Sequence, residues 1–161
     1  MAMNITMDDI EMPMIDAIDV NIKKLNPHAI IPTQGSRYAA AFDLYACLDA
    51  PVTIKPHETV RIGTGLAIAP PINYAAFIMA RSGLATKKGL APANKVGLCD
   101  TDYRGEYIVP LHNHSDEPVV IEHGERIAQL FFIQWIDAMF HEVDELDDTE
   151  RGEGGFGSTG V

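Results

Sequence analysis

The sequence predicts an all-β fold, a sandwich or barrel of short strands, with one short helix. Short apolar or alternating runs recur from Val20 onward, each broken by Pro, Gly, Asn or Asp. Only one stretch, RSGLATKKG, has the texture of a helix. The length of 161 residues and the 47% apolar content suit one compact domain with a real core.

Taken in order, VNIKKL (20–25) opens the series, and AAFDLYA (40–46) follows as an alternating run. PVTI (51–54) and TVRIG (59–63) carry β-branched residues on either side of Pro56, and GLAIAP (65–70) starts at a glycine and ends at a proline. YAAFIMA (74–80) leads into RSGLATKKG, where Ser82 is the expected helix N-cap and Gly89 the expected stop. NKVGLCDTDYRGEYIV (94–109) places strand-like residues on both sides of a polar turn and reads as a β-hairpin. EYIVPLHN (106–113), PVVIEH (118–123) and RIAQLFFIQWI (126–136) complete the set, with Trp135 expected in the core or at a subunit interface.

The two ends differ from this pattern. Residues 1–19 hold five acidic groups and no basic one, so they read as an acidic N-terminal extension ahead of a barrel domain at 20–143. Residues 144–161 read as an acidic, solvated connector and a glycine-rich arm able to close over something. The acidic start lacks the basic then apolar character of a secretory signal, and two cysteines are too few for a disulfide framework. A cytoplasmic protein is expected. The formal charge of −11 argues against broad nucleic-acid binding, although a small anion needs only a few local donors, and no segment approaches the length of a membrane span, so no membrane is expected.

Three stretches carry chemistry. In the arm, RGEGGFGSTG, glycines let backbone N–H groups approach an anion, Arg151, Ser158 and Thr159 add donors, and Phe156 offers a flat face for a base. It is no P-loop, since the lysine before Ser158 and the following helix are missing. In ARSGLATKKG, Arg81, Ser82 and Gly83 sit at a helix mouth, which favours phosphate, though an ordinary capped turn looks the same. In DTDYRG, Asp100 and Asp102 would share a face if the segment is extended, giving a water-activating carboxylate and a companion, and turn chemistry is the plain alternative. His112 and His114 have strand spacing, but a pair without a third ligand is ordinary polar sequence.

In order, AAFDLYA, ARSGLA (80–85), VGLCDTDYRG (96–105), GERIAQL (124–130) and RGEGGFGSTG resemble the five motifs of the trimeric dUTPase family. The resemblance runs from about Val20 to the C-terminus. It implies a jelly-roll-like β-barrel subunit in a threefold homotrimer, with active sites at subunit interfaces, hydrolysing dUTP to dUMP and pyrophosphate with Mg²⁺. Asp100 then matches the catalytic base for water attack on the α-phosphorus. Arg81, Ser82, Gly83 and Gln129 match phosphate contacts, and the arm supplies Phe156 for the uracil with Arg151, Ser158 and Thr159 for the phosphates. Asn94, Leu98, Cys99 and Ile108 match the strand backbone that reads uracil, and Tyr103 matches the ring beneath deoxyribose that leaves no room for a 2′-hydroxyl. Asp43 matches the first motif's acid, expected to support the metal's water shell or the fold, with the Mg²⁺ held mainly by triphosphate and water.

The sequence departs from the family pattern at Ala41 (usually glycine), Ala80 (often proline) and Cys99 (commonly isoleucine or valine). None removes a functional side chain, and Cys99 reads as a small buried hydrophobe rather than a reactive thiol. Two relatives in function compete: a dCTP deaminase on the same fold, and a catalytically silent trimer acting as a regulator. The deaminase branch is expected to use a glutamate and a different third motif. The intact Asp100, Tyr103 and arm have no purpose in a silent protein.

Overall fold

A computed structural model describes residues 17–155 and contains twelve strands and one helix. The strands are β1 (Asn21–Lys24), β2 (Thr33–Gln34), β3 (Phe42–Tyr45), β4 (Val52–Ile54), β5 (Thr59–Gly63), β6 (Leu66–Ala69) and β7 (Tyr74–Met79). After α1 (Ser82–Lys88) come β8 (Leu90–Pro92), β9 (Val96–Cys99), β10 (Ile108–Asn113), β11 (Val119–Ile121) and β12 (Arg126–Gln134). The all-β expectation holds. Two of these strands, β2 and β8, were not anticipated, being only 2 and 3 residues long.

All pairings are antiparallel. The largest sheet runs β2-β3-β12-β7-β9, a second runs β5-β10-β8, and two ribbons, β1-β6 and β11-β4, complete the barrel-like body. The inward residues alternate along the central strands. In β10, Val109, Leu111 and Asn113 are buried while Ile108, Pro110 and His112 are less so, the two-residue period of a half-buried strand. Leu44, Ile54, Ile62, Leu66, Val109, Leu111, Ile121, Ile127 and Leu130 form one core. Burying each such side chain contributes about 1.5–3 kcal/mol.

The expected hairpin does not form. β9 pairs only with β7 and closes the large sheet, while β10 pairs with β5 and β8 in the other. Strand period specifies which residues extend but not which partner they find, and here the stretch 100–107 between the strands is long enough to cross between sheets. Residues 101–102 form a turn, so Asp100 and Asp102 do not share a strand face. The helix N-cap also differs from expectation. It is Arg81, extended at φ −83° and ψ 127°, with no side-chain cap, and Ser82 is the first helical residue. Arg81 is held extended by its side chain's bond to Asp43, a distant contact that local capping preference does not contain. Gly89 ends the helix as expected, left-handed at φ 67°, its N–H donating to Leu84 O.

Beyond Gln134 regular structure stops, and residues 137–150 are exposed. Trp135 is 44% exposed, so it is not core; its Nε1 donates to Thr101 Oγ1 at 2.9 Å. Among the described residues no helix is long and apolar enough to cross a membrane.

At Gly65 crowding and backbone conformation combine. The residue is left-handed at φ 68°, and a Cβ there would lie 2.9 Å from both Ala29 Cβ and Cys47 Sγ. Gly65→Ala therefore combines backbone strain with overpacking, and a loss of about 2 kcal/mol or more is expected in urea denaturation. Gly35→Ala, where a Cβ meets nothing within 4 Å, should cost no more than about 0.5 kcal/mol. Equal midpoints for the two variants would contradict this account.

Candidate active site

Two clefts hold the site residues, and they share no lining residue. The first lies where β9 and β10 part. It has a volume of about 260 Å³ and is lined by Asn94, Leu98, Cys99, Asp100, Tyr103 and Ile108, all expected from the sequence. β9 is an edge strand, so alternate residues turn both N–H and C=O away from β7 with no strand to receive them. Such an edge is a ready partner for a planar molecule carrying its own donors and acceptors.

The loop between the strands is pinned from several sides. Thr101 Oγ1 accepts from Trp135 and donates to Tyr74 O at 2.7 Å. Arg104 folds back to donate to Thr101 O and Tyr103 O at 2.7 and 3.0 Å. At the far end, Tyr107 O accepts from the backbone N–H and hydroxyl of buried Thr64, and Tyr107 N–H donates to Leu66 O. Asp100 is thus presented, exposed, at the start of a loop with fixed ends.

The second cleft, about 450 Å³, is built around Asp43. The central strand β12 sets Gln129 opposite Asp43 of β3 and opposite Met79 of β7, two residues before Arg81. Asp43 is 8% exposed, and its two carboxylate oxygens accept from different arginines, Oδ1 from Arg81 Nε at 2.6 Å and Oδ2 from Arg126 Nη1 at 3.2 Å. Both carboxylate oxygens of Asp43 are thus engaged by arginines. Gln129 Nε2 donates to Ala80 O at 3.0 Å, fixing the amide beside the same cluster. Ser82 and Gly83 are exposed at the rim, and a Cβ on Gly83 would meet nothing within 4 Å. The rim is open to solvent.

Arg126 escaped the sequence reading, although it stands inside the GERIAQL stretch. It sits at a register shift in β12 between Arg126 and Ala128, a bulge that turns it toward Asp43. Arg61 and Glu106 also line the first cleft without having been singled out. Of the arm, Arg151 is exposed and donates through Nε to Gly154 O at 2.8 Å, near neither cleft's lining. Phe156, Ser158 and Thr159 lie outside the described residues. Among the described residues no three His, Cys, Asp or Glu side chains converge as a metal ligand set. His112 is engaged with Thr59, its Nδ1 lying 2.8 Å from the hydroxyl.

Cys99 sits beside buried Tyr107, whose hydroxyl finds no well-formed hydrogen bond. Burial pushes both the Cys99 thiol and the Tyr107 phenol upward, and the Asp100 carboxylate raises Cys99 further. Cys47 is raised as well, by burial first and then by Glu106 and Asp49. Neither thiol is activated.

The class these features define is a jelly-roll-like β-barrel with a free strand edge in one polar cleft and an arginine–carboxylate cluster in another. The dUTPase family model matches residues 27–160, and the chain belongs to the dUTPase family. The chain is 51% identical over 132 residues to a deoxyuridine 5'-triphosphate nucleotidohydrolase of Desulfitobacterium hafniense, covering 81% of this chain and 87% of that one. A protein of the same name from Nautilia profundicola is 50% identical over 141 residues, covering 88% and 98%. Among solved structures, the Staphylococcus bacteriophage 80alpha dUTPase with dUPNHPP superposes with a TM-score of 0.78 at 26% identity, covering 89% of this chain and 99% of that one.

Because thiolate is what attacks an alkylating agent, both cysteines should react with iodoacetamide at pH 8 more slowly than a free cysteine, accelerating as pH rises. Peptide mass spectrometry reads this directly. Labelling of folded protein at the rate of a free thiol would contradict the raised values.

Proposed function

We propose that this chain is a dUTP diphosphatase that hydrolyses dUTP to dUMP and pyrophosphate, limiting uracil in DNA and supplying dUMP for dTMP synthesis. The observation that carries the reading is the unpaired β9 edge beside Asp100 in a family whose relatives are named for this reaction. Uracil would pair with the backbone of Leu98 and Cys99, with Asn94 and Ile108 completing the cleft walls. Cytosine reverses the donor and acceptor on that edge and would leave buried groups unpaired, a mismatch able to discriminate by about 10⁴. Tyr103 underlies the deoxyribose and excludes a 2′-hydroxyl.

Asp100 accepts a proton from water as the water oxygen attacks the α-phosphorus. The bond to the bridging oxygen breaks, pyrophosphate leaves, and dUMP retains the new oxygen. General-base help of this kind is worth about 10²–10⁴ in rate. Arg81, Ser82, Gly83 and Gln129 hold the phosphate chain, with Ser82 steadying charge on the leaving oxygen. Mg²⁺ enters as part of the substrate, bound by triphosphate and water and neutralising charge for a protein of −11. The second cleft suits this, since its donors are guanidinium, amide and hydroxyl groups that favour phosphate rather than a cation.

The two clefts on one subunit make sense as two half-sites, completed when three copies assemble about a threefold axis and each site forms at an interface. Residues 20–143 form the barrel domain, and 144–161 leave it as connector and arm, with Arg151, Phe156, Ser158 and Thr159 closing a neighbour's site. The exposed Ile136, Met139 and Phe140, at 83–97% exposure, support a path away from their own core toward another subunit. The expected setting is the cytoplasm.

The test is incubation with Mg²⁺ and separately dUTP, dCTP, dTTP and UTP, following pyrophosphate and ammonia together. Pyrophosphate from dUTP alone is expected. Ammonia from dCTP would move the chain to the deaminase branch, and silence on all four would leave a nucleotide-binding regulator. Asp100→Asn should keep nucleotide binding while lowering kcat by about 10² or more. Near-normal turnover in that variant would overturn the assignment of the base.

A further inference from the structure

Glu106 follows Gly105 in the loop that crosses between the sheets and lines the first cleft, yet no step of the reaction uses it. Its two ends make different contacts. The backbone carbonyl accepts from Tyr103 Oη at 3.0 Å, and carboxylate Oε1 accepts from the Gly65 N–H at 2.7 Å. The carboxylate lies flat against Gly63, where an added Cβ would fall 2.5 Å from Oε1. Tyr103 in turn lies over Gly105, whose added Cβ would come within 2.6 Å of the ring's Cζ. Both glycines leave the space that lets Glu106 and Tyr103 pack this closely.

Gly65 is a rigid anchor. Its left-handed conformation and its crowding by Ala29 and Cys47 fix it, and its carbonyl accepts from Leu25 N–H at 2.7 Å. A chain of contacts therefore runs from the β5–β6 turn through the Glu106 carboxylate and carbonyl to the Tyr103 hydroxyl. Tyr103 is 43% exposed and lines the cleft, with the Tyr107 ring centroid 6.1 Å from its own. Without a tether, a half-exposed ring on a surface loop would sample several rotamers. The tether costs no rotamer freedom at the moment a sugar arrives.

We propose that Glu106 is a positioning residue that sets the Tyr103 ring, and through it the selection of deoxyribose over ribose. The inference rests on the proposed dUTP hydrolysis. It places a specificity role on a carboxylate that touches no reacting atom.

The test measures kcat and KM for dUTP and UTP in the wild type, Glu106→Ala, Glu106→Gln, Tyr103→Phe and the double variant Glu106→Ala with Tyr103→Phe. Glu106→Ala should raise KM for dUTP about tenfold and cut the dUTP-over-UTP preference by a similar factor, with kcat within about threefold. Glu106→Gln keeps an oxygen for the Gly65 N–H and should restore both. Tyr103→Phe breaks the other end of the same chain, so its effect and that of Glu106→Ala should combine to less than their product. Amide exchange at Gly65, faster in Glu106→Ala and unchanged in Glu106→Gln, reports the tether without any substrate. An active wild type whose Glu106→Ala form folds and keeps full sugar selectivity, or fully multiplicative effects of the two variants, would overturn the tether alone. A wild type that fails to hydrolyse dUTP would overturn the functional reading beneath it.

Discussion

Everything distinctive about this molecule depends on β9 and β10 belonging to different sheets. Had they paired, the β9 edge would be consumed by a ladder and the space beside Asp100 would close. Separation needs a loop that is long enough to cross and stiff enough not to collapse. Thr64 and Gly65 hold one end through Tyr107 and Glu106, and Thr101, buttressed by Trp135 and bonded to Tyr74, holds the other. An open edge usually invites aggregation, and an edge kept in a cleft is shielded from other chains while open to a small partner, which is what the proposed base recognition requires.

A second constraint is charge. A chain of net charge −11 repels polyphosphate at long range, so binding needs local inversion. Asp43 contributes by an indirect route. Sitting 8% exposed beneath two arginines, it draws Arg81 and Arg126 to one place and orients them, while the pair's second positive charge remains uncompensated. An arginine held by a carboxylate through Nε still has terminal N–H groups free for an anion. Central strand β12 makes this possible by lying between β3, which carries Asp43, and β7, which leads into Arg81.

The parts legible in the sequence were those with short-range causes. Strand runs announced themselves through alternation and flanking turn residues, and Gly89 through the left-handed stop that a helix end favours. The residues from Asn94 to Ile108 were named through the family resemblance of one contiguous stretch, and they line a single cleft. What escaped has long-range causes. Arg81 rather than Ser82 caps the helix because of an acid 38 residues away, and Glu106 gains its contact from a turn 41 residues away. Arg126 was overlooked because only a bulge, invisible in composition, turns it toward Asp43. Trp135 was expected in the core or at a subunit interface, and the core alternative fails because the ring is 44% exposed and its indole N–H bonds Thr101. Strand β8 was missed because 3 residues ending in Pro92 show no period.

The central claim is that the free β9 edge reads a uracil base. Amide hydrogen exchange across Val96–Cys99, measured by NMR with saturating dUMP and then dCMP, tests it without involving turnover. The account predicts that outward-facing β9 amides gain protection with dUMP and not with dCMP, while the amides bonded to β7 stay unchanged. Equal protection by both nucleotides, or none at β9 despite binding of dUMP, would contradict it and place base recognition elsewhere in the molecule.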